Sequence, residues 1–325
     1  MTDPLDKAAI EDLMAGAGSV LTALDGVVLG QRQVAEQLLA GYMAGGHVLL
    51  QGVPGIGKTL LARSLASCLG LQFARVQFTP DLMPTDLTGS NVFDQARTSF
   101  RLVRGPVFTQ ILMADEINRT PPKTQSALLE AMQERQVTID GVTHALETGF
   151  FVIATQNPVE FEGTYPLPEA QLDRFLLRAE MEPADEKAER EMFRQAAEGR
   201  LLGWTSDALP AAVISRDQAL ALRSASRRVH VSPEMIDYLA RLSSAVRRSP
   251  HVELTISPRG ALSLQEAARG MALIAGREFV IPDDMKRLLV PCWSHRLMLS
   301  AESELEGHTA HAVLEEVART VEVPR

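Results

Sequence analysis

A short glycine-rich turn combines the residue types that hold nucleotide phosphates. Gly52, Gly57, Lys58 and Thr59 occupy every fixed position of the phosphate-loop pattern G-x-x-x-x-G-K-[ST]. An apolar run at residues 47–51 predicts a buried strand before the turn, and the apolar residues after it predict a helix. The residues that we assign to the nucleotide are Gly52, Val53, Pro54, Gly55, Ile56, Gly57, Lys58, Thr59 and Leu60.

The chemistry of this turn fits a triphosphate and its magnesium ion. Glycines let backbone N–H groups turn inward toward phosphate oxygens, and the N-terminus of the following helix adds partial positive charge. The Lys58 amine reaches the β- and γ-phosphates in this pattern, and the Thr59 hydroxyl binds Mg²⁺. We therefore predict ATP and Mg²⁺ as the ligands.

Two carboxylates follow an apolar run farther along the chain. Residues 111–114 are four apolar residues in a row, which favours a strand buried on both faces of a parallel sheet. Asp115 and Glu116 come at its carboxyl end, where ligands bind in open α/β sheets. Such a pair alone is often a helix N-cap, but together with a phosphate loop it indicates nucleotide hydrolysis. Asp115 would then be a magnesium ligand, and Glu116 would orient and deprotonate the attacking water.

Two further polar residues lie next to predicted strands. Asn157 follows the apolar run 150–155, which would place its amide near the γ-phosphate, although Asn-Pro is also a common turn. Arg174 precedes the last predicted strand, 176–181. A single arginine is by default a surface residue or an ion-pair partner, but this position makes Arg174 a candidate for phosphate chemistry.

An apolar loop at residues 27–31 separates two helix-spaced segments upstream of the phosphate loop. It is either a plain helix connector or a wall of an adenine pocket, and the sequence leaves both interpretations open. Val28 and Gly30 are the candidate base-binding residues of this loop.

The elements that must position these residues are those of an α/β protein. Apolar residues at helical spacing predict two helices before residue 45. An irregular segment at 79–106 contains a candidate hairpin, and a second hairpin surrounds Asp140-Gly141, a preferred turn dipeptide. The predicted strands are 47–51, 73–78, 111–116, 150–155 and 176–181. The predicted helices after residue 185 are 185–198, 217–229, 232–248, 258–276, 283–296 and 309–320.

Composition narrows the class of protein. The chain has 325 residues, enough for about two domains, and a hydrophobic content of 46% that supplies a sizeable core. Its net charge of -9 argues weakly against nucleic acid as the main ligand. Cys68 and Cys292 lie in apolar stretches without metal-ligand spacing, which favours buried free thiols. Because neither a signal peptide nor an apolar run of membrane length is evident, we expect a cytoplasmic protein without a membrane span.

Longer stretches of the chain resemble the MoxR family of AAA+ ATPases. The resemblance covers roughly residues 10–300. It implies an α/β core, a P-loop nucleotide-binding domain with a five-stranded parallel sheet flanked by helices at residues 1–184, and a C-terminal all-α lid at 185–325. It also implies that the segments 79–106 and 136–146 are the helix-two insert and the pre-sensor hairpin of a ring pore. The stretches that carry it are 52–59, 113–134, 154–175 and Ser257-Pro258-Arg259-Gly260.

The resemblance also implies roles for individual residues. Asn157 would be sensor one, which helps Glu116 to set the water. Arg174 would be the arginine finger, acting in trans on the nucleotide of a neighbouring subunit. Arg259 would be sensor two and would contact the γ-phosphate of its own subunit. With Lys58, these residues form the predicted catalytic set.

The function implied by the resemblance is that of an ATP-hydrolysing, chaperone-like motor. Such a motor would assemble into a homo-oligomeric ring, a hexamer, and would remodel or mature partner proteins. A partner with a von Willebrand factor A domain is implied, and nucleic acid is not. Two alternatives share the same core, namely a nucleic-acid-associated motor and a chelatase-type motor subunit that drives metal insertion.

Overall fold

The computed structural model describes residues 7–157, 163–201 and 209–324. Its first part alternates helices and strands, as the apolar periodicity predicts. In chain order the elements are α1 (Lys7–Asp25), α2 (Arg32–Ala44), β1 (Val48–Gln51), α3 (Lys58–Cys68), β2 (Phe73–Gln77), α4 (Pro84–Thr88), β3 (Gly89–Asp94), β4 (Ser99–Arg104), β5 (Ile111–Asp115), the 3₁₀ turn Ile117–Arg119, α5 (Pro122–Glu134), β6 (Gln136–Ile139), β7 (Val142–Ala145), β8 (Phe151–Gln156), α6 (Glu169–Leu172) and β9 (Leu177–Glu180).

Within residues 186–201 and 209–324 the regular elements are helices apart from one small antiparallel strand pair, which the sequence pattern does not predict. Ser232 and Ser257 begin two of these helices as N-caps, since each hydroxyl accepts a hydrogen bond from a first-turn amide. The elements are α7 (Glu186–Ala197), α8 (Arg216–Ser226), α9 (Pro233–Arg248), β10 (Val252–Leu254), α10 (Pro258–Ile274), α11 (Pro282–Trp293), the 3₁₀ turn Ser294–Arg296, β11 (Met298–Leu299), α12 (Ala301–Leu305) and α13 (Ala310–Thr320).

The central feature is a five-stranded parallel sheet with the strand order β2-β5-β8-β1-β9. Every residue of β5 is buried, as its apolar run predicts. Because all five strands run in the same direction, the carboxyl ends of β1, β5 and β8 lie at one edge of the sheet. The predicted fold, a five-stranded parallel sheet flanked by helices and followed by a helical region, is confirmed.

Each face of the sheet carries its own hydrophobic core, because side chains alternate along a strand. Val48 and Leu50 of β1 belong to a core shared with α1, α2, α3 and the C-terminal helices, whereas Leu49 belongs to a core formed with α5. At Gly270, α10 comes close to α2, where an added Cβ would lie 3.0 Å from the Cα of Ala40. The helical part therefore packs directly on the first part of the chain.

Both predicted hairpins are present. The β3–β4 hairpin pairs Phe93 with Phe100, a residue that is 73% exposed. The β6–β7 hairpin turns at Asp140 and Gly141, both with positive φ, as an Asp-Gly turn requires.

The two cysteines and the membrane prediction are also tested by the structure. Cys68 and Cys292 are free and buried, as predicted. Among the described residues, none of the helices has both the length and the apolar character of a membrane-spanning segment.

A buried histidine at the start of β1 makes stability depend on pH. The amide of Val152 donates to Nδ1 of His47, and Nε2 donates to the carbonyl of Met132. Burial lowers the pKa of His47 from 6.5 to about 3. Between these values the unfolded chain binds the proton and the folded chain does not, so stability decreases as the pH falls through this window.

We expect His47 alone to remove about 2 kcal/mol of unfolding free energy between pH 7 and pH 5. Urea unfolding at both pH values gives the change in unfolding free energy between pH 7 and pH 5 for wild type and for His47→Gln. The difference between these two changes is the contribution of His47. His295, also buried with a lowered pKa, remains in both proteins as an internal reference. Equal pH effects in the two proteins would contradict the assignment.

Candidate functional site

The phosphate loop connects β1 to α3 through two glycines in the left-handed region. Gly55 has φ +80° and Gly57 has φ +100°, a conformation that side chains with a Cβ rarely adopt. Gly52 differs from them, since its added Cβ would lie 3.0 Å from the carbonyl oxygen of Met181, which is closer than a Cβ usually comes to a backbone atom. The turn thus delivers the chain to the N-terminus of α3, whose first amides lack partners within the helix and are suited to bind an anion.

Lys58 and Thr59 are the first two residues of α3. The Lys58 amine reaches back over the turn and donates to the carbonyl oxygens of Gly52 and Val53, at 3.2 Å in the second case. Loss of water lowers the pKa of Lys58, and the charges of Asp115 and Glu116 act in the opposite direction. The phosphate loop and the predicted carboxylates therefore lie within electrostatic range of one another.

Asp115 ends β5 and is 7% exposed. Its Oδ1 accepts from the hydroxyl of Thr155 at 2.5 Å, and its Oδ2 accepts from Arg75 Nη2 at 2.6 Å. The same Thr155 hydroxyl accepts from the amide of Glu116 at 2.8 Å. One hydroxyl of β8 thus fixes both the carboxylate of Asp115 and the backbone of the next residue.

Glu116 directly follows β5 and has φ +56°, which is uncommon for a residue other than glycine. Strained backbone of this kind is concentrated at functional sites. Its carboxylate accepts from Gln77 Nε2 at 2.8 Å and pairs with Arg119 Nε at 3.1 Å. The structure therefore holds the predicted water-activating carboxylate between the end of β2 and the 3₁₀ turn.

Asn157 lies at the same edge of the sheet as the phosphate loop. It directly follows β8 and is 5% exposed. Gln156, the preceding residue, accepts from Gln51 Nε2 at 2.9 Å, which joins the carboxyl ends of β8 and β1. Asn157, Asp115 and the phosphate loop therefore lie at the carboxyl ends of three neighbouring strands, β8, β5 and β1.

An apolar cavity of about 410 Å³ adjoins the phosphate loop. Val28 lies in its wall, so the loop at 27–31 is placed where the adenine-pocket interpretation requires it. Gly30 is not part of the wall. It has φ +76°, and its added Cβ would lie 3.1 Å from the Cβ of Ala188, so glycine permits the approach of α7. The lining includes Val27, Val28, Leu29, Gln31, Ile56, Leu60, Pro183, Ala184, Met192 and Leu201.

Arg174 lies at the opposite edge of the sheet. It precedes β9, whose first residue, Leu177, is paired with Val48, the first residue of β1. The phosphate loop begins after Gln51, at the other end of β1. A strand of four residues spans about 10 Å. Arg174 is therefore separated from the phosphate loop of its own chain by the full length of β1.

Arg259 shares this location with Arg174. Both line a cavity of about 140 Å³, together with His47 and Leu176 at the amino ends of β1 and β9. The structure thus places Arg259 at the edge opposite the phosphate loop of its own chain, whereas the resemblance implies that Arg259 contacts the γ-phosphate on its own subunit. The docking of α10 beside residues 173–176 places Arg259 at the far edge, a tertiary relation that the motif Ser-Pro-Arg-Gly does not encode.

Comparison with known proteins gives the same picture over most of the chain. Residues 47–177 match the family described as "ATPase family associated with various cellular activities (AAA)", and residues 244–317 match the AAA lid domain. The Chaperone MoxR1 of Mycobacterium tuberculosis is 39% identical over 92% of this chain and 80% of its own length. Protein MoxR of Paracoccus denitrificans is 32% identical over 97% of this chain and 98% of its own length. The chain belongs to the MoxR family of AAA+ ATPases.

The three-dimensional comparison agrees with this assignment. A crystal structure of a protein from Cytophaga hutchinsonii superposes with a TM-score of 0.88 at 36% identity, covering 98% of both chains. The predicted family is confirmed, and as a MoxR-family AAA+ ATPase and chaperone the protein hydrolyses ATP.

The residues around the phosphate loop fit a magnesium ion in this MoxR-family site. Mg²⁺ prefers hard oxygen ligands and is usually held by one or two carboxylates together with substrate phosphates. Thr59 offers a hydroxyl, and Asp115 offers a carboxylate whose hydrogen bonds with Thr155 and Arg75 leave lone pairs available. When bound there, the ion would neutralise charge on the phosphates.

Several residues of the site were missed by the sequence analysis. Thr155, Arg75 and Gln77 hold the two carboxylates, and Met192 of α7 closes the apolar cavity. For Thr155, Arg75 and Gln77 the sequence did contain a pattern that could have revealed them. Thr155 is polar within an apolar run, and Arg75 and Gln77 alternate with Ala74 and Val76 along β2. For Met192 the sequence carried no signal, because a packed helix face and a pocket wall have the same apolar pattern.

Proposed function

We propose that this MoxR-family ATPase works as a ring of identical subunits, a hexamer, in which two neighbours form each hydrolysis site. The observation that carries the proposal is the location of Arg174 and Arg259 at the edge opposite to their own phosphate loop. In a head-to-tail assembly that edge faces the nucleotide of the next subunit, and such an interface closes into a ring.

Within this proposal each subunit supplies the cradle and the water-activating group. The amides of residues 52–59 and the Lys58 amine bind the phosphates of ATP. Asn157 and Glu116 orient the water, and Glu116 accepts its proton. Phosphoryl transfer needs little covalent chemistry from the protein, so positioning and charge neutralisation account for most of the rate. The neighbour's Arg174 and Arg259 would contribute the positive charge that the phosphates still lack.

The contacts of Glu116 add a requirement for activation. Gln77 and Arg119 both donate to its carboxylate in the isolated chain. To accept a proton from water, the carboxylate must exchange at least one of these contacts for the water molecule. Nucleotide binding and subunit contact are the events that would change this local geometry.

The work done by the ring would be remodelling or maturation of partner proteins, together with a protein that carries a von Willebrand factor A domain. The support is the family membership and the name of the relative Chaperone MoxR1. Residues 1–184 would form the nucleotide-binding domain, and residues 185–325 would form the lid whose rotation follows hydrolysis. The hairpins within 79–106 and 136–146 would face the pore.

A specific observation favours a second candidate, a nucleic-acid-associated motor. The β3–β4 hairpin exposes Phe93 and Phe100 and carries Arg97, Arg101 and Arg104. Basic residues interleaved with aromatic ones are typical of single-stranded nucleic-acid binding. The same surface also suits an acidic polypeptide segment with apolar side chains, so it is compatible with the partner proteins of the first proposal as well.

The dependence of ATPase activity on protein concentration tests the proposal. We expect the rate per subunit to fall on dilution into the monomeric range by about 10³-fold, because a monomer lacks the trans arginines. Sedimentation at the same concentrations measures assembly, and Lys58→Ala supplies the inactive background. Full turnover by a strictly monomeric sample would contradict the shared site. Stimulation by single-stranded DNA in the same assay would favour the nucleic-acid motor.

A further inference from the structure

Arg296 is a buried arginine that connects the helical part of the chain to the residues around Arg174. It ends the 3₁₀ turn after α11, and its side chain is 2% exposed. Its Nε donates to Asp173 Oδ1 at 2.7 Å, its Nη1 to the carbonyl of Leu176 at 3.0 Å, and its Nη2 to the carbonyl of Asp173 at 3.2 Å. The remaining acceptors are the carbonyls of Phe175 and Cys292 and the hydroxyl of Ser263.

Asp173 extends this connection to the start of α10. The Ser257 hydroxyl lies 3.3 Å and 3.5 Å from the two carboxylate oxygens of Asp173. The same hydroxyl caps α10 by accepting from the amide of Gly260 at 3.1 Å. Arg174 directly follows Asp173, and Arg259 lies in the first turn that Ser257 caps. Arg296 therefore contacts the backbone of the segment that carries Arg174, and together with Asp173 it contacts the serine hydroxyls at the start of the helix that carries Arg259.

Only an arginine satisfies this arrangement. Its planar guanidinium has five N–H donors in a fixed fork, whereas a lysine amine has three donors on one atom. The surroundings make room for it, because an added Cβ at Gly260 would lie 2.8 Å from the Cδ of Arg296. The indole of Trp293 donates to the carbonyl of Gly260 at 2.8 Å and fixes the same turn. Burying a guanidinium costs free energy unless it is fully hydrogen-bonded. Most of the acceptors of Arg296 belong to one short segment, residues 173–176.

We propose that Arg296 is a positioning residue for the trans-acting half of the hydrolysis site. It joins residues 173–176 and the first turn of α10 into one rigid unit. Arg174 and Arg259 then keep a fixed separation when they approach the phosphates held by a neighbouring subunit. The inference rests on the proposed function, since it gives these arginines a role in trans.

The location of Arg296 predicts which kinetic parameter depends on it. Its contacts lie at the amino ends of β1 and β9, and the phosphate loop of the same chain lies at the other edge. Loss of the fork should therefore leave ATP binding intact and misplace the arginines offered to the neighbour. Misplacement of about 1 Å lowers rates by about 100-fold in well-studied enzymes.

The variant Arg296→Lys keeps the charge and removes the fork. We expect its kcat for ATP hydrolysis to fall about 100-fold while KM stays within about twofold. The matched control is Arg277→Lys, since Arg277 also forms a two-pronged ion pair within the helical part, with Asp284 at 2.6 Å and 2.8 Å. We expect the control to stay near the wild-type kcat. A fall in kcat for Arg277→Lys equal to that for Arg296→Lys would show a general effect of lid stability and overturn the proposal.

Mixed assemblies separate this inference from the proposed function. Glu116→Gln subunits have an intact trans half, and Arg296→Lys subunits have an intact phosphate loop. An equimolar mixture should recover roughly a quarter of the wild-type rate, because that fraction of head-to-tail interfaces pairs the two intact halves. A parallel mixture of Glu116→Gln with Arg174→Ala tests the trans role itself.

Each outcome of these mixtures decides something. Recovery in both mixtures supports the positioning role. Recovery with Arg174→Ala but not with Arg296→Lys overturns the inference and leaves the shared site standing. Recovery in neither removes the shared site and the inference together. If Arg296→Lys does not fold, Asp173→Asn replaces it, because that variant keeps the carbonyl contacts of Arg296 and loses the carboxylate that joins Ser257, and the same outcomes apply.

Discussion

Replacing Arg174 with alanine should lower the ATPase rate of the assembled protein by about 10³-fold or more, the range found for arginine fingers in related nucleotide hydrolases. The physical reason is the developing negative charge on the transferred phosphoryl group, which a guanidinium stabilises only when it lies next to it. Because Arg174 lies across the sheet from its own phosphate loop, ATP binding by the variant should match that of wild type. Steady-state ATPase assays and titration with a fluorescent nucleotide analogue measure the two quantities.

A matched exposed arginine provides the control for this variant. Arg319 is an exposed residue near the end of α13, and Arg319→Ala should retain the wild-type rate. The shared site predicts more than a loss of activity. Arg174→Ala subunits should regain turnover when they are mixed with Glu116→Gln subunits. A loss of ATP affinity in Arg174→Ala that is as large as its loss of rate would place Arg174 in its own subunit's site and contradict the assignment.

The variant Glu116→Gln should bind ATP and hydrolyse it about 10² to 10⁴ times more slowly, the contribution of a general base. Glutamine has nearly the same shape as glutamate, so the contact with Gln77 and the left-handed backbone can persist. It cannot accept the proton of the attacking water. Lys58 loses one favourable charge interaction, but the phosphate loop itself does not change. Single-turnover assays measure the hydrolysis rate of the variant, and nucleotide titration measures its affinity for ATP.

The control for the second prediction is Glu134→Gln at the exposed end of α5, which should be indistinguishable from wild type. A Glu116→Gln variant that keeps more than about a tenth of the wild-type rate would remove Glu116 from the role of general base. Loss of ATP binding by the same variant would instead indicate that the carboxylate organises the phosphate loop.

Much of the site was predictable because its chemistry is local in sequence. The phosphate loop needs glycines, a lysine and a hydroxyl within eight consecutive residues. The buried strand ending in Asp115 and Glu116 is likewise one continuous segment. Parallel strands then bring such segment ends to one edge of the sheet, so the position of Asn157 at the carboxyl end of β8 follows from the strand pattern alone.

Other features depend on contacts between residues distant in the chain. The hydroxyl of Thr155 reaches Asp115 across 40 positions, and Arg296 reaches Asp173 across 123. Pattern reasoning assigns a residue to an element and a face, but it does not give the neighbour on the next element. The role of Gly30 could not be predicted for the same reason. Gly30 lies against α7, which begins more than 150 residues later in the chain.

By itself the sequence determined the family, the α/β fold and the position of the glycine-rich turn and of the two carboxylates at strand ends, because short motifs with fixed residue types specify them. Only the tertiary structure decided at which edge of the sheet Arg174 and Arg259 lie, and that Arg296 contacts both the segment before β9 and helix α10. The reason is geometric. Whether a residue lies at the amino or the carboxyl ends of the strands follows from strand direction and from the docking of the C-terminal helices. Those relations arise from packing over the whole chain rather than from any one segment.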